Sequence, residues 1–299
     1  MFIPKKRWTP VVLFILFVVF PQMLLARDIV IGSINDNPKE EVQTFLPIAK
    51  YLGEELQKDG IEKGKVVITR SMEKMAELLS VGKVDLYIDS PYPILNVSNL
   101  SGGVFFLRRW KGGLSGYHSV IFTHKDSTIT TLEDLKGKMI AFEEPWSSSS
   151  YFLPKHSLMQ HNISLVEKNN FRESVEGGKL GYVFSYSDKN TMFWVLNKQV
   201  DAGGMSLEKM NRHAKDNIDS IRIIHQTFYI PRHVVLHRAD LEPELVARIT
   251  EILTEMDKTE KGREVLKAFE ETAKFDAIPE DSLKAMQDGL KFMRENVGE

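Results

Sequence analysis

Four consecutive serines lie within the stretch Glu143-Glu144-Pro145-Trp146-Ser147-Ser148-Ser149-Ser150-Tyr151-Phe152-Leu153-Pro154. The apolar run Met139–Phe142 before it predicts a short buried strand, and the apolar spacing of residues 151–161 predicts a helix. Hydroxyl and free N–H groups at a helix start favour an anion, because the helix dipole is positive there. The serine turn, residues 147–150, is therefore predicted to be either an oxyanion-binding site or a turn whose first hydroxyl caps the helix.

The first part of the chain alternates between strand and helix patterns. A β-branched run at residues 28–33 predicts a strand, and residues 40–57 have the apolar spacing of an amphipathic helix. A strand at residues 65–69, a helix at 72–81 and a strand at 85–89 are predicted to follow. This order indicates an α/β fold with a parallel sheet.

Polar residues follow two of these predicted strands. Ser33 ends the first strand and Asn35 follows it, and Asp89, Ser90 and Tyr92 come at the end of the third. In open α/β sheets, ligands bind at the edge formed by the carboxyl ends of the strands. These side chains are candidate ligand contacts, although Ser90 also fits a simple turn before a helix.

A second set of strands and helices is predicted to begin at residue 139. The glycine-rich passage at residues 102–113 before it is predicted to be a mobile loop. From residue 242 to the C-terminus the pattern predicts helices throughout.

Composition excludes several classes of function. The 299 residues carry a formal net charge of −2, and the basic residues are scattered, so no nucleic-acid partner is expected. The chain has no cysteine, so it forms no disulfide. Without cysteine or a His-x-His pair, no metal site is predicted, and no cofactor is expected.

The N-terminal segment, residues 1–26, is predicted to be a secretory signal peptide. Lys5, Lys6 and Arg7 precede an apolar run at residues 11–20, and Leu24-Leu25-Ala26 fits a cleavage site. A retained membrane anchor is the alternative, but Pro21 interrupts an apolar stretch that is short for a bilayer span. The mature chain is expected in the periplasm.

Three further segments carry a resemblance to a known family: Gly82-Lys83-Val84-Asp85-Leu86, residues 117–121 with Leu132-Glu133-Asp134-Leu135-Lys136-Gly137-Lys138, and Pro145-Trp146-Ser147-Ser148-Ser149-Ser150. The chain resembles the phosphate/phosphite/phosphonate-binding proteins of ABC transporters, a branch of the type II periplasmic binding proteins. The resemblance implies two α/β lobes, each a mainly parallel sheet flanked by helices, joined by two hinge crossovers. Lobe one would comprise residues 28–117 plus 230–299, and lobe two residues 118–229.

The resemblance also implies where a ligand binds. Ser147, Ser148 and Ser149 would donate to its acidic group, while Tyr117 and Tyr92 would form walls of the cleft. Three positions depart from the family pattern: Ser150 replaces a glycine, Asp188 a histidine and Asp89 a tyrosine. The two carboxylates disfavour a simple phosphonate dianion and favour a zwitterion, whose amino end Asp89 and Asp188 would accept.

The predicted function is capture of a small anionic or zwitterionic ligand by a monomeric protein that delivers it to an ABC transporter permease. A ligand sensor that docks on a membrane kinase or chemoreceptor is the alternative. A hydrolase is disfavoured, because the chain has no Gly-x-Ser-x-Gly elbow.

Overall fold

A computed structural model of the protein describes residues 27–296. The predicted signal peptide, residues 1–26, lies outside the described residues. No helix between residues 27 and 296 has both the length and the apolar character to cross a membrane.

The described chain alternates between short strands and helices. Its strands are β1 (Arg27–Ile34), β2 (Ile61–Thr69), β3 (Leu86–Asp89), β4 (Val104–Arg109), β5 (Gly116–Tyr117), β6 (Ser119–His124), β7 (Met139–Phe142), β8 (Ser164–Glu167), β9 (Lys179–Phe184), β10 (Ala202–Ser206), β11 (Ile221–Gln226), β12 (Ile230–Pro231), β13 (His233–His237) and β14 (Phe275–Asp276). Its α-helices are α1 (Pro38–Glu55), α2 (Met72–Ser80), α3 (Pro91–Ser101), α4 (Leu153–Gln160), α5 (Asp188–Leu196), α6 (Leu207–Ala214), α7 (Pro243–Glu255), α8 (Glu260–Ala268) and α9 (Glu280–Asn296).

The first sheet has the strand order β14-β4-β13-β3-β1-β2. β1, β2 and β3 are parallel, as predicted, and β13, β4 and β14 extend the sheet in antiparallel pairs. Alternate side chains of β3 enter opposite cores, with Leu86 and Ile88 on the side of α1 and α7 and Tyr87 on the side of α2 and α3. Helices on both faces leave the carboxyl ends of β1 and β3 as an open edge.

The second sheet has the order β11-β6-β10-β7-β9-β8. β10, β7, β9 and β8 are parallel, and β6 and β11 are antiparallel to their neighbours. Ile140 and Phe142 of β7 pack into the core that contains Leu158 of α4. Met139 and Ala141 pack into the opposite core with helices α5 and α6. The serine turn follows β7 at the carboxyl edge of this sheet.

Two short connections join the sheets. β5 leads from the first sheet to the second, β12 leads back, and the two pair in antiparallel fashion, with Tyr117 opposite Ile230. Strands before residue 110 and after residue 232 therefore build one sheet, and strands from 119 to 226 build the other. The predicted boundaries of the two lobes stay a prediction. They would place the strands of each sheet in a single lobe.

The C-terminal helix α9 packs against elements next to both sheets. It contacts α3 and β12, and it also contacts α4, which follows the serine turn. His156 of α4 lies at the centre of this contact, with ring centroids 4.9 Å from Phe292 of α9 and 5.2 Å from Phe228.

Two expectations from the sequence were wrong. The passage at residues 102–113 contains β4, whose Leu107 is buried and whose Arg109 is fully buried. The segment after residue 242 is not helical throughout, because β14 pairs with β4. Both strands lie between glycines or polar loops and are short, so periodicity alone does not identify them.

Candidate ligand-binding cleft

A cavity of about 390 Å³ lies between the facing edges of the two sheets. This volume suits a small ligand. Residues that follow strands of the first sheet form one wall, residues that follow strands of the second form the other, and the connections between the sheets form the base. The lining consists of Ser33, Ile34, Asn35, Glu41, Phe45, Ile88, Asp89, Ser90, Lys111, Tyr117, Glu143, Glu144, Trp146, Ser147, Ser148, Ser149, Lys209, Arg212, Arg232, His233 and Glu270.

Two hydroxyls of the serine turn bond to groups within the turn and to the strands next to it. Ser147 Oγ accepts the N–H of Ser150 at 3.0 Å and donates to the Glu143 carboxylate at 3.1 Å. Ser150 Oγ donates to the Gly204 carbonyl at 2.5 Å and accepts the N–H of Glu143 at 2.6 Å. Because each hydroxyl has only one proton, neither is available to donate to a ligand in this arrangement.

The Ser148 hydroxyl bridges the two halves of the molecule. It accepts the N–H of Tyr92, at the start of α3, at 2.8 Å and donates to the Ser90 hydroxyl at 2.9 Å. Pro91 has no N–H group, so Tyr92 supplies one of the first free donors of α3. Ser148 therefore satisfies that helix start from across the cleft.

The remaining donors of the serine turn belong to two residues that line the cleft, Ser148 and Ser149. The Ser149 hydroxyl has no hydrogen-bond partner among residues 27–296. The N–H groups of Ser148 and Ser149 start a π-helical turn, Ser148–Phe152, that continues into α4, so they too have no partner within the helix. These three donors form a cradle for an acceptor, and the helix dipole favours one with negative charge.

Arg232 supplies positive charge at the base of the cleft. Its guanidinium lies 5.2 Å from the centre of the Tyr117 ring, and it makes no ion pair within the described part of the chain. The Tyr117 hydroxyl beside Ser148 is buried and makes no hydrogen bond of normal geometry to any described residue. Burial raises the pKa of Tyr117, so this hydroxyl keeps its proton and is a potential donor.

Other cations at the base are paired with Glu270. Its carboxylate lies 3.0 Å from Arg109 Nη2 and 2.6 Å from Lys111 Nζ. Burial alone would raise the pKa of Glu270, but Lys111 and Arg109 outweigh burial and lower it. His233, between these groups and Arg232, has its pKa held well below the usual value by burial and by the surrounding cations, so it is neutral.

Comparison of the sequence with models of protein families identifies the family of this chain. A family model described as "ABC transporter, phosphonate, periplasmic substrate-binding protein" matches residues 31–283. The chain belongs to this family.

Individual proteins are also similar to this chain. The phosphonates-binding periplasmic protein of Escherichia coli is 26% identical over 177 residues, which cover 57% of this chain and 49% of that protein. XAC2383 from Xanthomonas citri, solved with bound chloride, superposes with a TM-score of 0.84 at 25% identity, over 90% of this chain and 99% of that one. The same protein has been solved with ATP (TM-score 0.83, 24% identity, over 90% of this chain and 99% of that one).

A more distant match extends the likeness in fold. PhnD1 from Prochlorococcus marinus, solved with methylphosphonate, has a TM-score of 0.65 at 15% identity, over 90% of this chain and 98% of that one. These matches confirm the predicted type II periplasmic binding protein fold. The family consists of substrate-binding proteins of transporters.

The structure brings together most of the predicted site residues. Eight of them line the cavity: Ser33, Asn35, Asp89, Ser90, Tyr117, Ser147, Ser148 and Ser149. Three predicted residues do not line the cavity. Ser150 is fully buried, and the Tyr92 ring stacks on the Phe152 ring with centroids 5.0 Å apart. The Asp188 carboxylate is paired with Lys209, and Lys209 lines the cavity in its place.

Asp188 is bound to a lysine that sequence reasoning did not single out. Lys209 Nζ lies 2.5 Å from Asp188 Oδ2 and 3.4 Å from Glu143 Oε2. Burial alone would lower the pKa of Lys209, but the two carboxylates outweigh burial and raise it. Burial raises the pKa of Glu143, and Lys209 opposes that rise.

The wall contributed by the first sheet contains two carboxyl groups, of Asp89 and Glu41, that form no ion pair with any residue between 27 and 296, although the charge of Lys111 acts on both. Asp89 accepts from the Tyr87 hydroxyl at 2.8 Å and from the N–H of Ser90 at 2.6 Å, and burial raises its pKa to about 6. Glu41 accepts from Ser33 and Asn35, and burial raises its pKa as well. Ser33 and Asn35 thus orient Glu41.

Sequence reasoning missed the basic residues that line the cleft: Lys111, Lys209, Arg212 and Arg232. Arg232 stands next to Pro231 in the predicted extended run, and a basic residue at a hinge crossover was the signal that could have identified it. Lys111 lies in a glycine-rich loop and Lys209 in the first turn of a helix. Neither position has a sequence pattern that marks it as part of a binding site. Within residues 27–296, no group of three or more His, Cys, Asp or Glu residues is placed to hold a metal ion.

Proposed function

We propose that this protein captures a small anionic or zwitterionic ligand of the phosphonate or phosphate type in the cleft and delivers it to the permease of an ABC importer. The observation that carries the proposal is the position of Arg232. Arg232 has no ion-pair partner among residues 27–296, and it lines the same cavity as the free donors of the serine turn.

The acidic group of the ligand would lie between the serine turn and Arg232. The Ser149 hydroxyl and the N–H groups of Ser148 and Ser149 would donate from one side. Arg232 would supply charge from the base, where a guanidinium can form two parallel hydrogen bonds to an oxyanion. Tyr117 would donate through its buried, unpartnered hydroxyl.

The opposite end of the ligand would face Asp89 and Glu41. An ammonium group placed there would meet two carboxyl groups that form no ion pair among the described residues. Such a group would also lower the raised pKa values of these acids, since a positive charge favours their ionised forms. This end of the cleft is the reason to include zwitterions among the proposed ligands.

A thermal-shift screen tests the ligand class directly, because a bound ligand raises the unfolding midpoint by mass action. The panel comprises phosphate, phosphite, methylphosphonate, ethylphosphonate and 2-aminoethylphosphonate. We expect at least one phosphonate to raise the midpoint. If no member of the panel does so, the proposal is wrong.

Replacement of Arg232 tests the observation on which the proposal rests. Arg232→Met should weaken binding of the best phosphonate at least tenfold in isothermal titration calorimetry, because a charge-assisted hydrogen bond contributes about 1.5–3 kcal/mol. Arg248→Met is the matched control: it makes the same change in net charge on α7, where Arg248 pairs with Glu251. Equal affinities of the two variants would remove Arg232 from the site.

A further inference from the structure

Lys209 is an unusual lining residue because it is largely buried and both of its partners are acidic. Its side chain is 19% exposed, and those of Asp188 and Glu143 are 11% and 17% exposed. A buried ion cluster of this kind is costly to break, since removing one partner leaves the others buried without compensation.

The three groups come from three different elements at the carboxyl edge of the second sheet. Glu143 follows β7, Asp188 is the first residue of α5, and Lys209 lies in the first turn of α6, whose Ser206 cap accepts the N–H of Lys209. The fold therefore brings two carboxylates together and fills the space between them with an ammonium group from the same chain.

This cluster is continuous with the proposed site. Glu143 Oε2, which contacts Lys209, also accepts the hydroxyl of Ser147 in the serine turn. Glu143 and Lys209 both line the cavity. In addition, Asp188 Oδ1 is buried and has no hydrogen-bond partner in the part of the chain that the structure describes, so Lys209 satisfies this acidic pocket only in part.

We propose that Lys209 determines ligand specificity by occupying the position between Glu143 and Asp188 where the ammonium group of a ligand would otherwise bind. This wall of the cleft then rejects amine-bearing ligands, and an amine is accepted only at the opposite wall, beside Asp89 and Glu41. The inference rests on the proposed capture of a phosphonate-type ligand, and it assigns the selectivity of that site to one side chain.

The test compares two ligands that differ by one amino group. The dissociation constants of ethylphosphonate and 2-aminoethylphosphonate are measured by calorimetry for the wild type and for Lys209→Met. In the variant, the ratio of the ethylphosphonate constant to the 2-aminoethylphosphonate constant should rise at least tenfold. The reason is that Glu143 and Asp188 then lack their internal cation and attract the one on the ligand.

Two further variants separate this role from a structural one. Lys209→Arg keeps the cation and should keep the wild-type ratio. Lys209→Met combined with Glu143→Gln and Asp188→Asn removes the carboxylates as well, and the ratio should return to within about threefold of the wild type, well short of the tenfold change. A merely structural Lys209 would change both dissociation constants by the same factor and leave the ratio unchanged.

Each outcome supports or overturns the proposed role of Lys209. An unchanged ratio in folded Lys209→Met overturns the inference and leaves the proposed function intact, provided that the wild type binds a phosphonate. A wild type that binds neither of these two ligands overturns the inference, and a wild type that binds no member of the thermal-shift panel overturns the proposed function as well. If Lys209→Met does not fold, Lys209→Met with Asp188→Asn takes its place and should still give a higher ratio than the triple variant, while equal ratios overturn the inference.

Discussion

The four serines of the turn have distinct hydrogen-bonding roles, although they are identical in sequence. Ser147 bonds within the turn and to Glu143, Ser150 connects Glu143 to Gly204 of β10, and Ser148 reaches across the cleft. Only the Ser149 hydroxyl has no partner among the described residues. The sequence predicted that these residues face a ligand, but it could not assign the roles. Hydrogen-bond partners such as Gly204 and Ser90 are distant in the chain and are brought close only by the fold.

Replacement of Ser149 and Ser150 should separate binding from stability. Ser149→Ala should weaken phosphonate binding about tenfold, the usual effect of removing one donor to a charged acceptor, with little change in stability. Ser150→Ala should lower the free energy of unfolding by about 1–3 kcal/mol, because it leaves the Gly204 carbonyl and the Glu143 N–H buried without a partner. Calorimetry and urea unfolding measure the two effects, and the reverse pattern would contradict the assigned roles.

Asp89 should make stability depend on pH. Its pKa is about 6 in the fold and about 4 in an unfolded chain, so the folded state holds the proton between these values. The wild type should therefore gain stability as the pH falls from 7 to 4, whereas Asp89→Asn lacks this contribution. The full pKa shift corresponds to a change of about 3 kcal/mol in the free energy of unfolding. Because Asp89 is partly exposed to the cleft, we expect a smaller change of roughly 1–2 kcal/mol.

Urea unfolding of the ligand-free protein checks this expectation. The wild-type free energy of unfolding minus that of Asp89→Asn should rise between pH 7 and pH 4, because the other titrating groups cancel in the difference. A difference that is constant with pH would mean that the Asp89 carboxyl titrates normally.

At the scale of elements, most of the strands and helices could be predicted because their apolar periodicity is local. The parallel order of β1, β2 and β3 followed from the intervening helices. β4 and β14 could not be predicted, because their burial depends on pairing with each other and with β13, at long sequence separation. The cations of the cleft could not be predicted for a similar reason. Lys209 contacts Glu143 because β10, which precedes α6, pairs with β7, which precedes Glu143.

The contact between β10 and the serine turn should be sensitive to one methyl group. A Cβ at Gly204 would lie 2.9 Å from Pro154 Cγ and 3.0 Å from the Ser150 carbonyl oxygen, so Gly204→Ala must displace the turn. We expect a loss of about 1–3 kcal/mol in stability together with weaker ligand binding. Gly177→Ala is the control, because a Cβ there meets nothing within 4 Å. Unchanged binding by Gly204→Ala would show that the position of the turn does not govern the site.

At the scale of the whole molecule, Ser148 links the halves without a ligand. Its hydrogen bonds to Tyr92 and Ser90 favour the arrangement in which the facing edges meet. Ser148→Ala should therefore increase the radius of gyration of the ligand-free protein in small-angle X-ray scattering, while saturation with ligand should restore the wild-type value. Ser149→Ala, which removes no bond across the cleft, is the control. An identical radius for both ligand-free variants would show that this link does not hold the halves together.

The packing of α9 against both α3 and α4 has a consequence for how the polypeptide can be divided. Residues 118–229 contain every strand of the second sheet, yet the ring of Phe292, which covers His156, comes from the far end of the chain. Excised as a separate fragment, those residues would present the uncovered aromatic face of α4 to water and would be prone to self-association. Residues 118–229 thus contain the whole hydrogen-bonded second sheet, but they lack part of the apolar packing that covers its helices.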